Sequence, residues 1–475
     1  MSLIVAALLV FYGYRAYTVE TPKVATPKVI TLNECVTVAL QNNPAVKSSE
    51  EDKKKAAAEY RIANAARLPF VNAEIQTRQY PKVGEVSAFD TYFPYLPLSD
   101  PVKGTYGLYK ATKGAKKKNF IDDLSKYYNI GVSIGVSAGI SLYSEKANRT
   151  VETAKAGKKL SNVQARKVMN DVILSVKKAY YSHMMAKDTV TLREKLLKYN
   201  EDRLRVTQIL YKNAQKPIYD LSRATVDLND AQLELQKAKN YERSTKEELL
   251  RSMGINDTNT DFNLEKKDVL PEIKLSVEQL TRLGEQNYPD MQIAKMNTEI
   301  NKLKVAVENG GHFPEVNMQV GVGYEDGRFD KYLFDGKYWK PTGYVGFIAR
   351  LPIYSGGMVK AKVDSAVAEY NKSIYKEKDV SMNMQMTIQS NYTSVQELSK
   401  QLSTAKLMME NSEKHFKLAQ KMYDTGATTL LDLHDANVSR ANAELNYLRT
   451  KFDYLMTIAR LSSIVGLGED SLCKK

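Results

Sequence analysis

The chain repeats its own order of residues, and this duplication constrains the fold more than any other feature of the sequence. An Asn-Pro pair at 43–44 is matched by a Tyr-Pro pair at 288–289, 245 residues later, and Gly254 is matched by Gly466, 212 residues later. An ordered series of such matches indicates two structural repeats in tandem. Because the spacing changes from 245 to 212, we expect one long insertion in the first copy, at 81–126.

The duplication predicts how the chain is divided. The divisions are a signal-like segment with a proline-containing linker (1–30), a first repeat (31–255) that includes a long external loop (81–126), an inter-repeat linker (256–270), a second repeat (271–467) and a C-terminal tail (468–475). The apolar run Leu3–Val10 has the length of a signal-peptide core and is too short to span a membrane. A buried helix is the alternative explanation for that run.

Two long segments without proline predict the architecture of each repeat. Lys146–Ala214 contains 69 residues with one glycine, and Met358–Thr425 contains 68 residues with none. Each predicts a helix about 100 Å long. In the first copy a turn and a return helix, 220–253, follow. Stacked end to end, this return helix and a helix at 45–67 together span about 85 Å, close to the length of one long helix. Apolar four-three spacing in the second return helix indicates coiled-coil packing.

Strict two-residue alternation marks the most regular strand, 128–142, whose even positions are apolar and whose odd positions are Gly, Ser or Asn. Three further segments, 71–79, 316–324 and 343–353, alternate more loosely. Transmembrane strands need about 9–11 residues that are apolar outside and polar inside. The side chains predicted to face lipid are those of Ile130, Val132, Ile134, Val136, Val316, Val320, Val345 and Phe347.

A soluble antiparallel sheet with one buried face is the alternative explanation for these strands. Against it, the sequence offers four strands and no second sheet to cover them. In a membrane, four strands cannot close a barrel, because about eight are the observed minimum and an open edge is not tolerated in lipid. The membrane interpretation therefore requires several copies of the chain.

Composition narrows the class of protein. With 43% hydrophobic and 26% charged residues, the chain is unlike a disordered tail, and no stretch reaches the about 20 apolar residues of a spanning helix. Cys35 and Cys473 are too few for a disulfide scaffold or a cysteine zinc site. The four histidines lack metal-ligand spacing, and we find no nucleophile–base pair or phosphate-binding loop. We therefore expect no enzyme, no cofactor and no metal.

The net charge of +14 leaves one rival explanation open for the loop at 81–126. Its basic cluster, Lys113, Lys116, Lys117 and Lys118, is compatible with a nucleic-acid patch. A solvated loop explains the same cluster, and we expect no nucleic-acid partner.

Several short motifs, taken in order, resemble the TolC outer-membrane efflux family. They are Asn-Pro at 43–44, Leu-Pro-Phe-Val-Asn at 68–72, Leu-Tyr-Ser at 142–144, Ile-Tyr-Ser-Gly-Gly at 353–357 and the turn from Tyr423 to Ala436. The resemblance covers about residues 31–467. It implies a mixed α+β, mainly α chain. Four strands from each chain would form a tandem-duplicated β-barrel, with about 12 strands in a trimer, continued by a long α-helical coiled-coil barrel.

The same resemblance implies a homotrimeric channel in the outer membrane, with a helical tunnel that projects into the periplasm. Such a channel conducts substrates passively to the exterior and contacts outer-membrane lipid. Its partners are a periplasmic membrane-fusion adaptor and an inner-membrane transporter, in tripartite efflux or in type I secretion. The alternative function is that of a non-membrane helical coiled-coil scaffold protein.

Two aspartates after the second turn are the first candidate site. Asp432 and Asp435 are three residues apart, so they share one face of a helix. Six such carboxylates in a trimer would repel one another, raise one another's pKa and attract multivalent cations. The resemblance implies that they form a periplasmic gate or selectivity ring. Ordinary solvated aspartates on a helix are the alternative.

The turns themselves are the second candidate site. The resemblance implies a gate contact between Asp220 and Tyr423, near Thr428, which stands where the family sometimes has an arginine. It also implies that the two tips contact the adaptor. Ala214 occupies a position where glycine is usual, which makes a left-handed turn there less assured. The tip residues are Asn213, Ala214, Gln215, Thr425, Gly426 and Ala427.

Overall fold

The computed structural model describes residues 29–81, 128–256, 262–265, 270–326 and 339–466. Before and within the first repeat its elements are β1 (Val29–Ile30), α1 (Leu32–Asn42), α2 (Pro44–Ala65), β2 (Phe70–Pro81), β3 (Tyr128–Ser144), α3 (Glu145–Lys212) and α4 (Ile218–Ser252). Before and within the second repeat they are β4 (Asn263–Leu264), α5 (Val277–Asn287), α6 (Pro289–Asn309), β5 (Glu315–Asp326), β6 (Lys340–Arg350), α7 (Met358–Asp424) and α8 (Leu430–Val465).

The long helices form as predicted. Helix α3 has 68 residues and α7 has 67, and each is followed by a turn and a return helix of 35 or 36 residues. Helix α3 packs against α4 and α8, and α8 packs in turn against α7. The four helices therefore lie side by side in the order α4, α3, α8, α7, and the two repeats meet where α3 contacts α8.

The short helices stack as predicted on the ends of the return helices. Gly254 follows α4 and approaches the α1–α2 junction so closely that an added Cβ would lie 2.8 Å from the carbonyl carbon of Asn42. Gly466 follows α8, and its Cβ would lie 2.8 Å from the Cβ of Asn287, where α5 ends. These two positions are matched by the internal repeat, so the same joint is built twice.

Helices α1 and α5 were missed by the sequence analysis, although each begins with a recognisable signal. Thr31 and Glu34 form a reciprocal capping box on α1, and Ser276 and Gln279 form one on α5. A Ser or Thr followed three residues later by Glu or Gln is typical of a helix start, because two unpaired backbone N–H groups are satisfied together. Each helix covers the middle of a long helix.

The apolar core lies at this middle level of the helices, which we call the equator. In the first repeat, Cys35 and Leu249 are completely buried against Val176 of α3. In the second, Leu280 is completely buried against Ile388 of α7. Strands β1 and β4 pair in parallel beside the first core, within segments that were predicted to be linkers. The equator is therefore where the polypeptide before each repeat is fastened.

The four longer strands form one antiparallel sheet in the order β2, β3, β5, β6. The central pair joins the two repeats, with Val136 opposite Val322. The last strand differs from the prediction of 343–353, because it runs three residues earlier and ends at Arg350. Pro352 cannot donate to a strand ladder, and Gly356 and Gly357 both have positive φ.

The described strands form an open sheet and not a closed barrel, so the predicted barrel is not formed by one chain. None of the helices in the described ranges is both long enough and apolar enough to cross a membrane. The predicted signal-like run, the predicted C-terminal tail and all but the first residue of the predicted loop at 81–126 lie outside the described residues.

Candidate functional site

The two helix-turn tips share one backbone geometry. At the first tip, the N–H of Gln215 donates to the carbonyl of Leu210 at 2.9 Å, and that of Ala214 donates to Tyr211 at 2.9 Å. At the second, Ala427 donates to Met422 at 2.8 Å and Gly426 to Tyr423 at 3.0 Å. This pair of bonds is the Schellman motif, which requires a left-handed residue after the helix. The tips are thus the same turn built twice.

Ala214 adopts the left-handed conformation despite its side chain. Its φ is 54°, and it is the one residue other than glycine with positive φ in the described part of the chain. Gly426 has a φ of 76° at the matching position. The left-handed turn expected to be less assured at Ala214 is therefore present. A residue with a Cβ is strained there, so the two tips differ in local energy while sharing a shape.

Asp432 caps the first turn of α8. Its carboxylate accepts hydrogen bonds from the Thr429 N–H at 3.0 Å and from the Thr428 hydroxyl at 2.8 Å. Bonds from the Thr429 side chain, from Thr428 and from the Thr429 backbone lower the pKa of Asp432, because they favour the charged form. Thr428, which was predicted as a gate contact, therefore donates a hydrogen bond to the carboxylate of Asp432 in the same tip.

Asp435 lies one turn further along α8 and is exposed, as is Asp432. Leu433 and Ala436 of the same helix are buried. The two carboxylates therefore project from the solvent side of α8 close to its first residue. Their mutual proximity across several copies, on which the predicted ring depends, stays a prediction.

Lys216 links the two tips, and the sequence analysis did not single it out. Its ammonium nitrogen lies 4.0 Å from the Asp220 carboxylate and 5.3 Å from the centre of the Tyr423 ring. Desolvation raises the pKa of Tyr423, and the negative charge of Asp220 raises it further. The structure thus brings Asp220 and Tyr423 to one place within a single chain, with a cation between them.

The predicted lipid-facing residues lie in the sheet. The described side chains of Ile134, Val136, Val345 and Phe347 are exposed, and those of Val316 and Val320 are half-buried. Ile130 and Val132 are in β3, opposite Gln79 and Thr77 of β2. Between β5 and β6 the register places Val320 directly opposite Val345, so the apolar face continues across these two strands.

No group of His, Cys, Asp and Glu side chains suited to a metal ion occurs in the described ranges. Cys35 is buried at the equator, where desolvation, with a smaller effect from Glu34, raises the pKa of its thiol to about 12. A thiol in this state is a poor nucleophile.

Comparisons with known proteins agree with this geometry. A family model described as "Outer membrane efflux protein" matches residues 36–255 and 280–467. The outer membrane protein TolC of Vibrio cholerae is 20% identical over 352 residues, which are 70% of this chain and 76% of that protein. Nodulation protein T of Rhizobium leguminosarum bv. trifolii is 24% identical over 189 residues, 40% of each chain. The match therefore spans less than half of the latter relative.

Solved structures share the fold. The CmeC outer membrane channel of Campylobacter jejuni superimposes with a TM-score of 0.73 and 17% identity, over 92% of this chain and 85% of that one. The outer membrane protein VceC of Vibrio cholerae gives a TM-score of 0.71 and 17% identity, over 92% of this chain and 96% of that one. The predicted resemblance to the TolC family is confirmed.

Proposed function

This chain belongs to the outer membrane efflux protein family, and we propose that three copies of it form a passive exit duct through the outer membrane. The duct would continue as a helical tunnel into the periplasm. It would receive substrates from an inner-membrane transporter through a periplasmic membrane-fusion adaptor, in tripartite efflux or type I secretion. The chain itself would perform no chemistry, and outer-membrane lipid would surround its strands.

The observation that carries this proposal is the sheet with an exposed apolar face and two unpaired edges. Phe347 is 67% exposed and Val322 is 64% exposed, and strands β2 and β6 each have one neighbour in the described sheet. An open edge in lipid leaves backbone groups without partners. Pairing β2 of one copy with β6 of the next removes every edge when the ring closes, and three copies give about 12 strands, within the observed range.

The outer sides of the helices offer a matching interface. On α4, the exposed apolar residues Tyr219, Val226 and Leu233 follow one another at intervals of seven. On α7, a second exposed stripe consists of Leu407, Met408, Leu418 and Met422. Apolar residues in a heptad pattern pack against another helix. Because α4 and α7 are the two outer helices of the four, their contact between copies is heterologous and closes into a ring.

The alternative, a non-membrane helical scaffold, receives no support from these surfaces. It explains the helices but leaves the apolar face of the sheet in water. An exposed apolar patch of this kind marks an interaction or membrane surface.

At the far end of the tunnel, we assign the entrance to the tips. Asp432 and Asp435 would form a ring of carboxylates, and Asp220, Tyr423 and Thr428 would hold the tips together. Adaptor contact would fall to the six tip residues, Asn213, Ala214, Gln215, Thr425, Gly426 and Ala427. Support comes from the exposure of both aspartates and from the Lys216 link described above.

Purification with and without detergent, followed by native mass spectrometry and planar-bilayer recording, tests the duct. We expect a detergent-dependent trimer that conducts ions and is blocked by millimolar trivalent cations added from the entrance side. The double variant Asp432→Asn, Asp435→Asn should lose the block, whereas Asp453→Asn, an exposed aspartate about 30 Å further along α8, should keep it. A water-soluble monomer without conductance would refute the duct, and equal block of the double variant would refute the ring.

A further inference from the structure

The side of the sheet opposite its apolar face carries two aromatic rings. Phe70 of β2 lies directly opposite Gly139 of β3. Tyr344 of β6 lies directly opposite Gly321 of β5. Directly opposite residues share one face of a sheet, and neighbours along a strand lie on opposite faces. Tyr344 is therefore on the other face from Val345. We call this second side, which the proposed function turns to the lumen, the duct face.

Each ring lies across the glycine that it faces. A Cβ added at Gly139 would lie 2.6 Å from Cζ of Phe70, and one added at Gly321 would lie 2.7 Å from Cζ of Tyr344. Both glycines are buried, whereas Phe70 is 50% exposed and Tyr344 is 56% exposed. One side of each ring is therefore covered by the backbone of the neighbouring strand, and the other side faces away from the sheet.

The two rings are neighbours on the duct face. Gly321 lies opposite Ser137 of β3, and Ser137 is two residues from Gly139 in the sequence. With about 3.4 Å per residue and about 4.8 Å between strands, the two glycines are about 8 Å apart. The exposed sides of Phe70 and Tyr344 therefore form one aromatic surface.

A carboxylate reaches the same surface. The Oε1 atom of Glu74 on β2 accepts a hydrogen bond from the Oγ atom of Ser137 at 3.4 Å, and Glu74 is exposed. Since Ser137 stands opposite Gly321, the carboxylate lies beside the strand that the Tyr344 ring covers. The face of an aromatic ring attracts cations through the ring quadrupole, and a carboxylate attracts them through its charge. Both kinds of group therefore favour a positively charged ligand.

The space beside the rings is open. Gly346 of β6 is on the duct face, two residues from Tyr344, and a Cβ added there would meet no atom within 4 Å. An aromatic ring that covers a glycine of the neighbouring strand stabilises a sheet by itself. This structural role uses only the covered side of each ring, so the exposed sides remain available for contact with a ligand.

We infer that Phe70, Tyr344 and Glu74 form a contact site for organic ammonium cations on the wall of the duct, repeated in each copy of the chain. The cation lies against the exposed sides of the two rings, with the carboxylate beside it. Aromatic side chains recognise quaternary ammonium groups in this way. The site binds weakly, so this class of cargo is held briefly and released. This inference rests on the proposed function, in which the duct face lines the lumen.

Saturation-transfer NMR with the full chain in lipid nanodiscs and benzyltrimethylammonium as the probe tests the site. Phe70→Leu and Tyr344→Leu should each weaken binding of the probe about threefold, the contribution of an exposed cation–π contact. Glu74→Gln should weaken it about twofold, as expected for an exposed charge pair. Benzyl alcohol, which has the same aryl group without the charge, should bind the wild type at least about threefold more weakly.

Two further variants separate the site from a purely structural role of the rings. Tyr344→Phe keeps the ring and should bring binding back to within about twofold of the wild type. Phe347→Leu removes an exposed ring of the same strand from the apolar face, and as the matched control it should bind the probe as the wild type does. If a leucine variant does not fold, Glu74→Gln carries the test, because it leaves both rings in place.

The outcomes separate this inference from the duct. If the chain is a monomer without conductance but binding of benzyltrimethylammonium still depends on both rings, the duct is refuted and the site stands. If the trimer conducts and the leucine variants and Glu74→Gln bind the probe as strongly as the wild type, the site is refuted. Equal binding of benzyl alcohol, or no binding of the probe by the wild type, refutes the site as well.

Discussion

In the described part of the chain, four helices are followed at their C-terminal ends by a left-handed residue, and these four residues form two contrasting pairs. Gly254 and Gly466 end the return helices at the equator, where an added Cβ would lie 2.8 Å from neighbouring carbon atoms. Ala214 and Gly426 end the long helices at the tips, and a Cβ added at Gly426 would meet no atom within 4 Å. Both places need a residue with a left-handed backbone. Neighbouring atoms that leave no space for a Cβ occur only at the equator.

This contrast divides each repeat into a closely packed middle, at the equator, and a less closely packed end, at the tip. At the equator, completely buried side chains such as Leu249 and Leu280 hold the chain by apolar packing. At the tips, a small apolar cluster that includes Leu433 and Ala436 is buried, and Lys216 and Asp432 add polar contacts that are exposed or partly exposed. Regions with few buried apolar contacts open at the lowest free energy. This difference supports the proposed position of the entrance at the tips.

The largest expected effect tests the contact at the equator between Gly254 and the α1–α2 junction. Gly254→Ala adds a Cβ to a residue with a φ of 75° and places it 2.8 Å from the Asn42 backbone. Left-handed strain and overpacking together predict a loss of about 4 kcal/mol in the free energy of unfolding. Thermal unfolding in detergent, followed by helical circular dichroism, measures the loss.

Gly157→Ala is the control for this variant, because Gly157 lies inside α3 with no atom within 4 Å of an added Cβ. It should stabilise α3 by about 1 kcal/mol, the difference in helix propensity. Equal unfolding temperatures for Gly254→Ala and the wild type would mean that the α1–α2 junction is not packed on the end of α4.

Acid should lower the stability of the core at the equator through His183. This side chain is buried on α3, with Nδ1 3.2 Å from the Thr245 hydroxyl. Desolvation, and then the charges of Lys187 and Lys246, lower its pKa to about 4. The unfolded chain, with a pKa near 6.5, binds the proton more readily than the folded one, so stability falls as the pH drops from about 6.5 to about 4. The full loss is about 3 kcal/mol.

Comparing His183→Gln with the wild type between pH 7 and pH 4 measures this loss. The variant should show the smaller fall in unfolding temperature, because its side chain does not titrate while other acid-sensitive groups are unchanged. If the two proteins lose stability in parallel, the histidine is not responsible for the acid sensitivity.

The sequence was sufficient to predict the elements whose position depends on residue periodicity and on proline. The long helices, the alternation of β3 and the matched Gly254 and Gly466 were all readable, because helix length and strand pattern are local properties. The end of β6 was misplaced because the alternation continues past Arg350. The prediction overlooked Pro352, which breaks a strand.

The side-chain contacts at the tips were not predictable in the same way. Lys216 lies near Tyr423 only because two turns, 212 residues apart in the chain, are brought to the same level by the folded helices. Arg203 and His434 both contact Asp227 from other helices, and no spacing rule links the three residues. The capping role of Asp432 was within reach of the sequence, since Thr429 stands three residues before it, although its pairing with Thr428 was not.

A smaller effect is expected from the cap at the second tip. Thr429→Ala removes the hydroxyl that accepts a hydrogen bond from the Asp432 N–H at 3.2 Å. Loss of an N-cap costs about 1 kcal/mol, and here it should appear as faster hydrogen exchange confined to the first turn of α8. The pKa of Asp432 should also rise towards its ordinary value. Thr425→Ala, in the same turn but before the cap, should leave this exchange unchanged.

The smallest effect has opposite signs at the two tips. Ala214→Gly relieves left-handed strain, and Gly426→Ala introduces it with no clash within 4 Å. Strain of about 1–2 kcal/mol, partly offset by the greater flexibility of glycine in the unfolded chain, leaves about 0.7 kcal/mol in each case. Hydrogen exchange of Gln215 and Ala427, whose N–H groups close the two turns, should slow in the first variant and accelerate in the second. Changes of the same sign at both tips would show that left-handed backbone strain does not determine the stability of the two turns. Contacts between the tips would then outweigh that strain.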